Sequence, residues 1–455
     1  MALVLVLVGC VSIAPIPTAS PGASGLPPPS ASPTATAPSA SGQPTQTPEA
    51  PPSPGASATP SVPGTPGPSI DPALAQQIDA VLAQVPAIRG LEALAPVPYE
   101  FISREQFQDD LIELQFEEVP EDRLRAEERV LKRLGLLADD ADLLELLLDL
   151  YGGGVAAFYR PDTKRFYIIE RDQPFGPGDR IIVAHEYTHA LQDQHFDLDG
   201  TRIKDLSEGD AALGQLGAIE GDATLTMQLW MLENLTLQEQ LEAFLDSLEQ
   251  LDDPTLANTP PILRRQLEFP YAEGFGFIQE IHRLGGFDAV DAALSTAIPA
   301  STEQVLHPAK YLANEAPVDV VLPDLTPVLG DGWQVSYEQT IGELLMQVWA
   351  AGGESPPDAI PGLPIEWPHA ETVAGWGGDR LAMYEHPDGR WALAWRIVWD
   401  TTTDAIEFRD RSHELAPTID PATIFTDTGD NSTVIVTASD VSIVNLLSAD
   451  LDWVP

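Results

Sequence analysis

His185-Glu186-Tyr187-Thr188-His189 places two imidazoles and one carboxylate within a short run of an apolar segment. A helix turns about 100° per residue, so side chains four positions apart stand on one face. Both histidines can therefore point a ring nitrogen at one metal ion. Glu186, one step round the helix, sits where it can take a proton from water held by that ion, the chemistry of metal-assisted hydrolysis. Ile181, Ile182, Val183 and Ala184 precede the motif and Ala190 and Leu191 follow it, with Glu186 the only charged residue from Val183 to Leu191. A solvated helix face would not read this way, because polar residues in an apolar helix are buried and need partners.

Two histidines leave a tetrahedral zinc short of one protein ligand beside water. His195 stands where the metzincin pattern HExxHxxGxxH puts a third histidine, but Gln192 occupies the position of the turning glycine. On a continuing helix His195 is about 240° round from His189 and points away. Two copies of Glu-Gly-Asp-Ala follow, beginning at Glu208 and Glu220. Either glutamate can reach the ion from a second helix, the gluzincin arrangement of two His and one Glu. Glu208 follows Asp205 and Ser207 at an expected helix start, where a carboxylate often caps. Glu220 lies among Leu216, Ala218, Ile219, Ala223 and Leu225. A carboxylate there needs a cation, so Glu220 is the expected third ligand, with Glu208 as the alternative. Asp222 and Asp193 are candidates to orient a ligand histidine from behind. The oxyanion of a hydrolytic transition state needs a donor besides the metal. Tyr271 and His307, each beside a proline, are the candidates, with Tyr311 a weaker one.

The elements that must hold these residues follow from apolar spacing. Residues 71–87 and 103–148 read as amphipathic helices, an integral lobe or a removable pro-segment. Val155–Tyr159 and Phe166–Ile169 read as a hairpin before the motif helix, which is expected over 179–194. An edge strand in that place can hold an extended peptide by strand addition. Further helices are expected over 209–235, 238–251, 271–285, 302–314 and 341–351. Leu381–Tyr384 and Trp391–Trp399 flank a Pro387-Asp388-Gly389 turn, and another strand covers Thr433–Thr437. Trp391, Leu393, Trp395, Ile397 and Trp399 alternate with period two and are expected to form a buried sheet face rather than a ligand platform. Asp427–Asn431 lacks the spacing of a calcium loop and reads as a surface turn.

The chain has 455 residues, with Lys+Arg 23 against Asp+Glu 70 and a formal net charge of −47. Such a surface repels nucleic acid and anionic membranes. Residues 1–10, MALVLVLVGC, are apolar up to the only cysteine. Leu7-Val8-Gly9-Cys10 resembles the lipobox of bacterial lipoproteins, in which the cysteine is lipidated, although no Lys or Arg precedes it. Residues 11–69 are rich in Pro, Ser, Ala and Thr with Glu49 as the one charge, the composition of an extended tether. A single cysteine excludes an intrachain disulfide.

The run from His185 to Phe196, together with Ala218-Ile219-Glu220-Gly221-Asp222-Ala223, resembles the zincin metallopeptidases of the gluzincin kind. In particular it is similar to a group of exported bacterial proteins of the peptidase MA type. Phe269-Pro270-Tyr271, residues 299–311 and Gly375–Arg380 belong to the same likeness, which covers most of 85–412. It implies an α+β, zincin-like fold with a mainly helical core, an edge hairpin above the motif helix and a C-terminal α+β subdomain. It also implies Zn2+ as cofactor, peptide or protein substrates, and Glu186 as general base. The expected organisation is a signal segment at 1–10, a tether at 11–69, a metallopeptidase domain at 70–325 and the subdomain at 326–455. The protein is then a lipid-anchored cell-surface peptidase, attached to the membrane only through Cys10. A catalytically inactive envelope lipoprotein that binds or scaffolds is the other reading, and the intact Glu186 favours hydrolysis.

Overall fold

The computed structural model describes residues 71–455 apart from 110, 112–118, 172, 199–208, 252–257, 357–365, 420–423 and 450–455. Cys10, the expected tether and Glu208 lie outside the described residues. The described residues from Ala73 onward belong to one compact unit of mixed α and β structure. No helix among the described residues is long and apolar enough to cross a membrane.

The site-bearing half is helical. Helix α1 runs Pro72–Arg89, the motif helix α2 Pro177–Phe196, α3 Gly209–Asn234 and α4 Pro261–Ser295. Helix α2 starts cleanly because Pro177 needs no hydrogen-bond donor there. The Gly176 N–H is taken by Asp179 Oδ2 at 2.7 Å. Its end is set by Asp197, left-handed at φ 55°. Every residue from Ile182 to Asp193 is buried, so α2 is a core helix rather than a surface one. Helix α3 is buried almost as completely. Its Gly217 and Gly221 meet Gly274 of α4 so closely that a Cβ on Gly221 would overlap the Gly274 carbonyl, and one on Gly274 would overlap that of Gly217. Here the absence of side chains lets two helix backbones touch.

Helix α4 extends well beyond the expected 271–285. Pro270 removes one hydrogen bond, yet burial of Phe269, Pro270 and Tyr271 carries the helix through it. It bends instead at Gly286 (φ 66°, ψ −164°). The helix expected over 302–314 divides into Thr302–Leu306 and Pro308–Leu312. His307, preceding a proline, is pushed out of the helical region to φ −123°, ψ 78°.

Strands β1 (Tyr99–Ile102), β2 (Ala157–Arg160) and β3 (Arg165–Ile169) form a small sheet in the order β1-β3-β2. β2 pairs antiparallel with β3, Tyr159 opposite Phe166, as the expected hairpin, and β1 adds in parallel to its other side. The edge strand β2 lies against α2.

The second sheet comprises β4 (Gln334–Gln339), β5 (Trp376–Glu385), β6 (Trp391–Trp399), β7 (Ile424–Thr428) and β8 (Ser432–Ala438), all antiparallel, in the order β4-β5-β6-β8-β7. Its two faces separate by strict alternation. Leu381, Met383, Leu393, Trp395, Ile397, Trp399 and Ile435 join the main core, alongside helices α5 (Gly342–Ala350) and α6 (Thr402–Ile419). Ala382, Tyr384, Ala392, Ala394, Val434 and Val436 join a second cluster closed by helix α7 (Val441–Ala449). The tryptophan alternation is thus a core face. Asp379 joins sheet to helix, accepting from Ile341 N (2.9 Å), Gly342 N (2.8 Å), Trp376 Nε1 (2.9 Å) and Trp395 Nε1 (3.0 Å).

Candidate metal centre

His185 and His189 project from the same face of α2, and Glu220 meets them from α3. His185 Nε2 lies 2.9 Å from His189 Nε2 and 3.0 Å from Glu220 Oε2, and His189 Nε2 lies 3.4 Å from the same oxygen. A tetrahedral zinc with bonds of ~2.0–2.2 Å spaces its donor atoms ~3.3–3.6 Å apart; one side of the triangle matches that spacing and the other two are a few tenths of an ångström shorter. The donor set, two imidazole nitrogens and one carboxylate oxygen, is one that zinc accepts. Side chains of all three are at most 2% exposed.

Electrostatics agree with a cation in this place. Burial disfavours charge on each group, yet the Glu220 carboxylate lifts His189 to about 9. Burial likewise opposes ionisation of Glu220, but the His189 charge and hydrogen bonds from both histidines hold it down at about 2. Burial pulls His185 below its ordinary value. A proton shared within the triangle therefore balances the carboxylate, the part a metal ion would take over.

Around the triangle, Gln192 Oε1 accepts from His189 Nδ1 at 2.8 Å. With Nδ1 as donor, His189 Nε2 is the nitrogen left to bind a cation. His185 Nδ1 is buried and makes no hydrogen bond among the described residues. Glu186 is fully buried, and its Oε2 accepts from the backbone N–H of Tyr159 in β2 at 3.0 Å. The edge strand expected to receive a peptide thus spends this N–H on Glu186, and β2 from Ala157 to Tyr159 is buried.

The remaining candidates fall into place around this core. Tyr271 comes to the site, its ring centroid 6.1 Å from that of His185. His307 Nε2 pairs with Glu343 Oε1 at 2.9 Å, and this carboxylate, more than burial, settles the histidine above its ordinary pKa. Tyr311 donates to the Ala297 carbonyl at 2.7 Å. His195 is exposed and bonds to the Glu92 carbonyl at 2.8 Å, pointing away as the helical phase requires. Asp193 orients neither ligand histidine; it accepts from Tyr159 Oη at 2.6 Å and pairs with Lys164 at 2.8 Å. Asp222 acts one residue further out, accepting from Gln192 Nε2 at 2.8 Å.

Gln192 was the residue that motif reasoning passed over. Its signal was present, since it stands three positions after His189, where helical spacing brings the two side chains together. Arg89 and the Tyr159 N–H, which support the same centre, carry no local signal.

Residues 333–453 match a family described as a domain of unknown function (DUF8575). The match covers the second sheet with its helices and contains none of His185, Glu186, His189 and Glu220. Comparison with curated proteins and with solved structures gives no match.

Proposed function

We propose that this protein is a zinc-dependent peptidase with a zincin-like core, tethered at the cell surface through a lipid on Cys10. The observation that carries the reading is the convergence of His185 Nε2, His189 Nε2 and Glu220 Oε2 within 3.4 Å of one another, buried, beside Glu186 on the same helix. Zinc bound there would supply Lewis acidity, lowering the pKa of a coordinated water toward ~7 and polarising a substrate carbonyl.

The chain's own residues supply the rest. Glu186 accepts the proton of the attacking water and returns it to the leaving amine. The Tyr159 N–H donates to Oε2 of that carboxylate and holds it in place. Tyr271 is the assigned donor to the developing oxyanion, since its ring alone among the candidates stands next to a ligand histidine. The apolar packing around α2 and α3 keeps bulk water from the ligands and strengthens each of these interactions.

Casein hydrolysis by the full chain tests the proposal. Activity that is lost on chelation and restored by added zinc supports it. Hydrolysis unchanged by chelation, or none at any zinc concentration in a zinc-loaded protein, removes the catalytic claim and leaves a binding or scaffolding protein.

A further inference from the structure

Helix α1 and the segment after it reach the metal centre by a chain of buried polar groups. Arg89, the last residue of α1, is 0% exposed. Its Nε donates to Asp222 Oδ2 at 2.9 Å, and a terminal nitrogen donates to Asp291 Oδ1 at 2.6 Å. The guanidinium also lies 4.6 Å from the centroid of the Phe287 ring. Asp222, itself 0% exposed, takes one hydrogen of the Gln192 amide at 2.8 Å, and the Ile219 carbonyl takes the other at 2.9 Å. With both amide hydrogens committed to acceptors, Gln192 can offer only its oxygen to His189 Nδ1, and the direction of the amide is fixed by chemistry.

The segment beyond α1 grips the end of the same motif helix. Gln194 Oε1 accepts from Leu94 N at 2.6 Å and Ala95 N at 3.1 Å, and Gln194 Nε2 donates to the Ala95 carbonyl at 3.0 Å. A cation buried this deeply is costly unless fully paired, and removing it would strand Asp222 as an uncompensated charge beside the ligands.

The geometry points to residues 72–95 as a built-in positioning part of the metal centre: Arg89, acting through Asp222 and Gln192, holds the His189 ring with Nε2 toward the ion. This rests on the zinc reading above and extends it to a segment that sequence left open as a removable pro-segment. Arg89, Asp222 and Gln192 touch no reacting atom; they are positioning residues.

The test measures the zinc dissociation constant of the full chain by chelator competition, and the visible spectrum of the cobalt-loaded protein. Wild type is compared with Gln192→Met, Asp222→Asn and Arg89→Lys, each shown to be folded by circular dichroism. Gln192→Met is expected to weaken zinc binding about 10- to 100-fold and to alter the cobalt bands, because His189 loses its fixed tautomer. Arg89→Lys, which keeps the charge but not the fork of donors, is expected to fall between that variant and wild type. Asp222→Asn is isosteric and decides the matter should Gln192→Met not fold. Folded variants with wild-type affinity and an unchanged cobalt spectrum would overturn the relay while leaving the metal centre standing. A wild-type chain that binds no zinc would instead remove the underlying reading.

Discussion

The backbone N–H of Tyr159 donates to Glu186 Oε2 at 3.0 Å, joining the edge strand of the small sheet to the acidic residue of the motif helix. A glutamine at position 186 retains a carbonyl oxygen able to accept the same hydrogen bond. Glu186→Gln should therefore fold and keep zinc at wild-type stoichiometry. Casein turnover should drop about 10²- to 10⁴-fold, the range ascribed to a general base. Retained turnover would take Glu186 out of the mechanism.

Metal uptake should depend on pH with a defined sign. Glu220 lifts His189 to about 9, so at neutral pH a proton occupies the position the ion must take. Zinc affinity should rise as pH rises toward 9, by about tenfold per unit for one displaced proton. Calorimetry in buffers of different ionisation enthalpy would count that proton. Affinity that is flat from pH 6 to 8 would contradict the assignment.

How much of this was legible beforehand depended on whether the signal was local. His185, Glu186, His189 and Glu220 share two apolar helices, and the penalty for burying their charge marked them at once. The β5–β6 hairpin announced itself through alternation and a turn whose Gly389 takes φ 93°. β1 escaped notice because it is four residues long and pairs with a strand more than sixty positions away. Helix α6 was hidden by its charged sequence, in which only spaced residues such as Ala405, Phe408 and Leu415 reach the core. For His307 the neighbouring proline was the only local signal; it sets the backbone, while the ring's partner, Glu343, is 36 positions away and left no local trace.

Asp210 makes a prediction about stability. Burial first, opposed by the Thr302 hydrogen bonds and reinforced by the nearby Asp379 and Glu303 charges, pushes its carboxyl up to about 8. A carboxyl whose folded pKa is raised is protonated in the native state, so its contribution is intact below about 4 and is lost as pH climbs through about 8. The thermal midpoint of wild type should fall as pH rises between those two limits. Asp210→Asn, a neutral isostere, should flatten that part of the profile. An identical fall in the variant would show that Asp210 ionises normally.

The crossing of α3 and α4 can be probed by two substitutions on one helix. A methyl group at Gly274 would overlap the Gly217 backbone, whereas one at Gly276 meets nothing within 4 Å. Gly274→Ala should destabilise by about 1–3 kcal/mol through overpacking. Gly276→Ala should stabilise by about 0.5–1 kcal/mol through helix propensity. Urea midpoints moving in the same direction for both would argue against the close contact.

The metal content of the full chain, measured by elemental analysis after exhaustive dialysis, bears on the central claim most directly. The account predicts one zinc per chain in wild type, a large loss of zinc in Glu220→Ala, and none in a His185→Ala/His189→Ala double variant that still folds. A wild-type chain free of zinc after zinc loading, or a double variant that keeps it in full, would contradict the assignment of these three side chains to one ion.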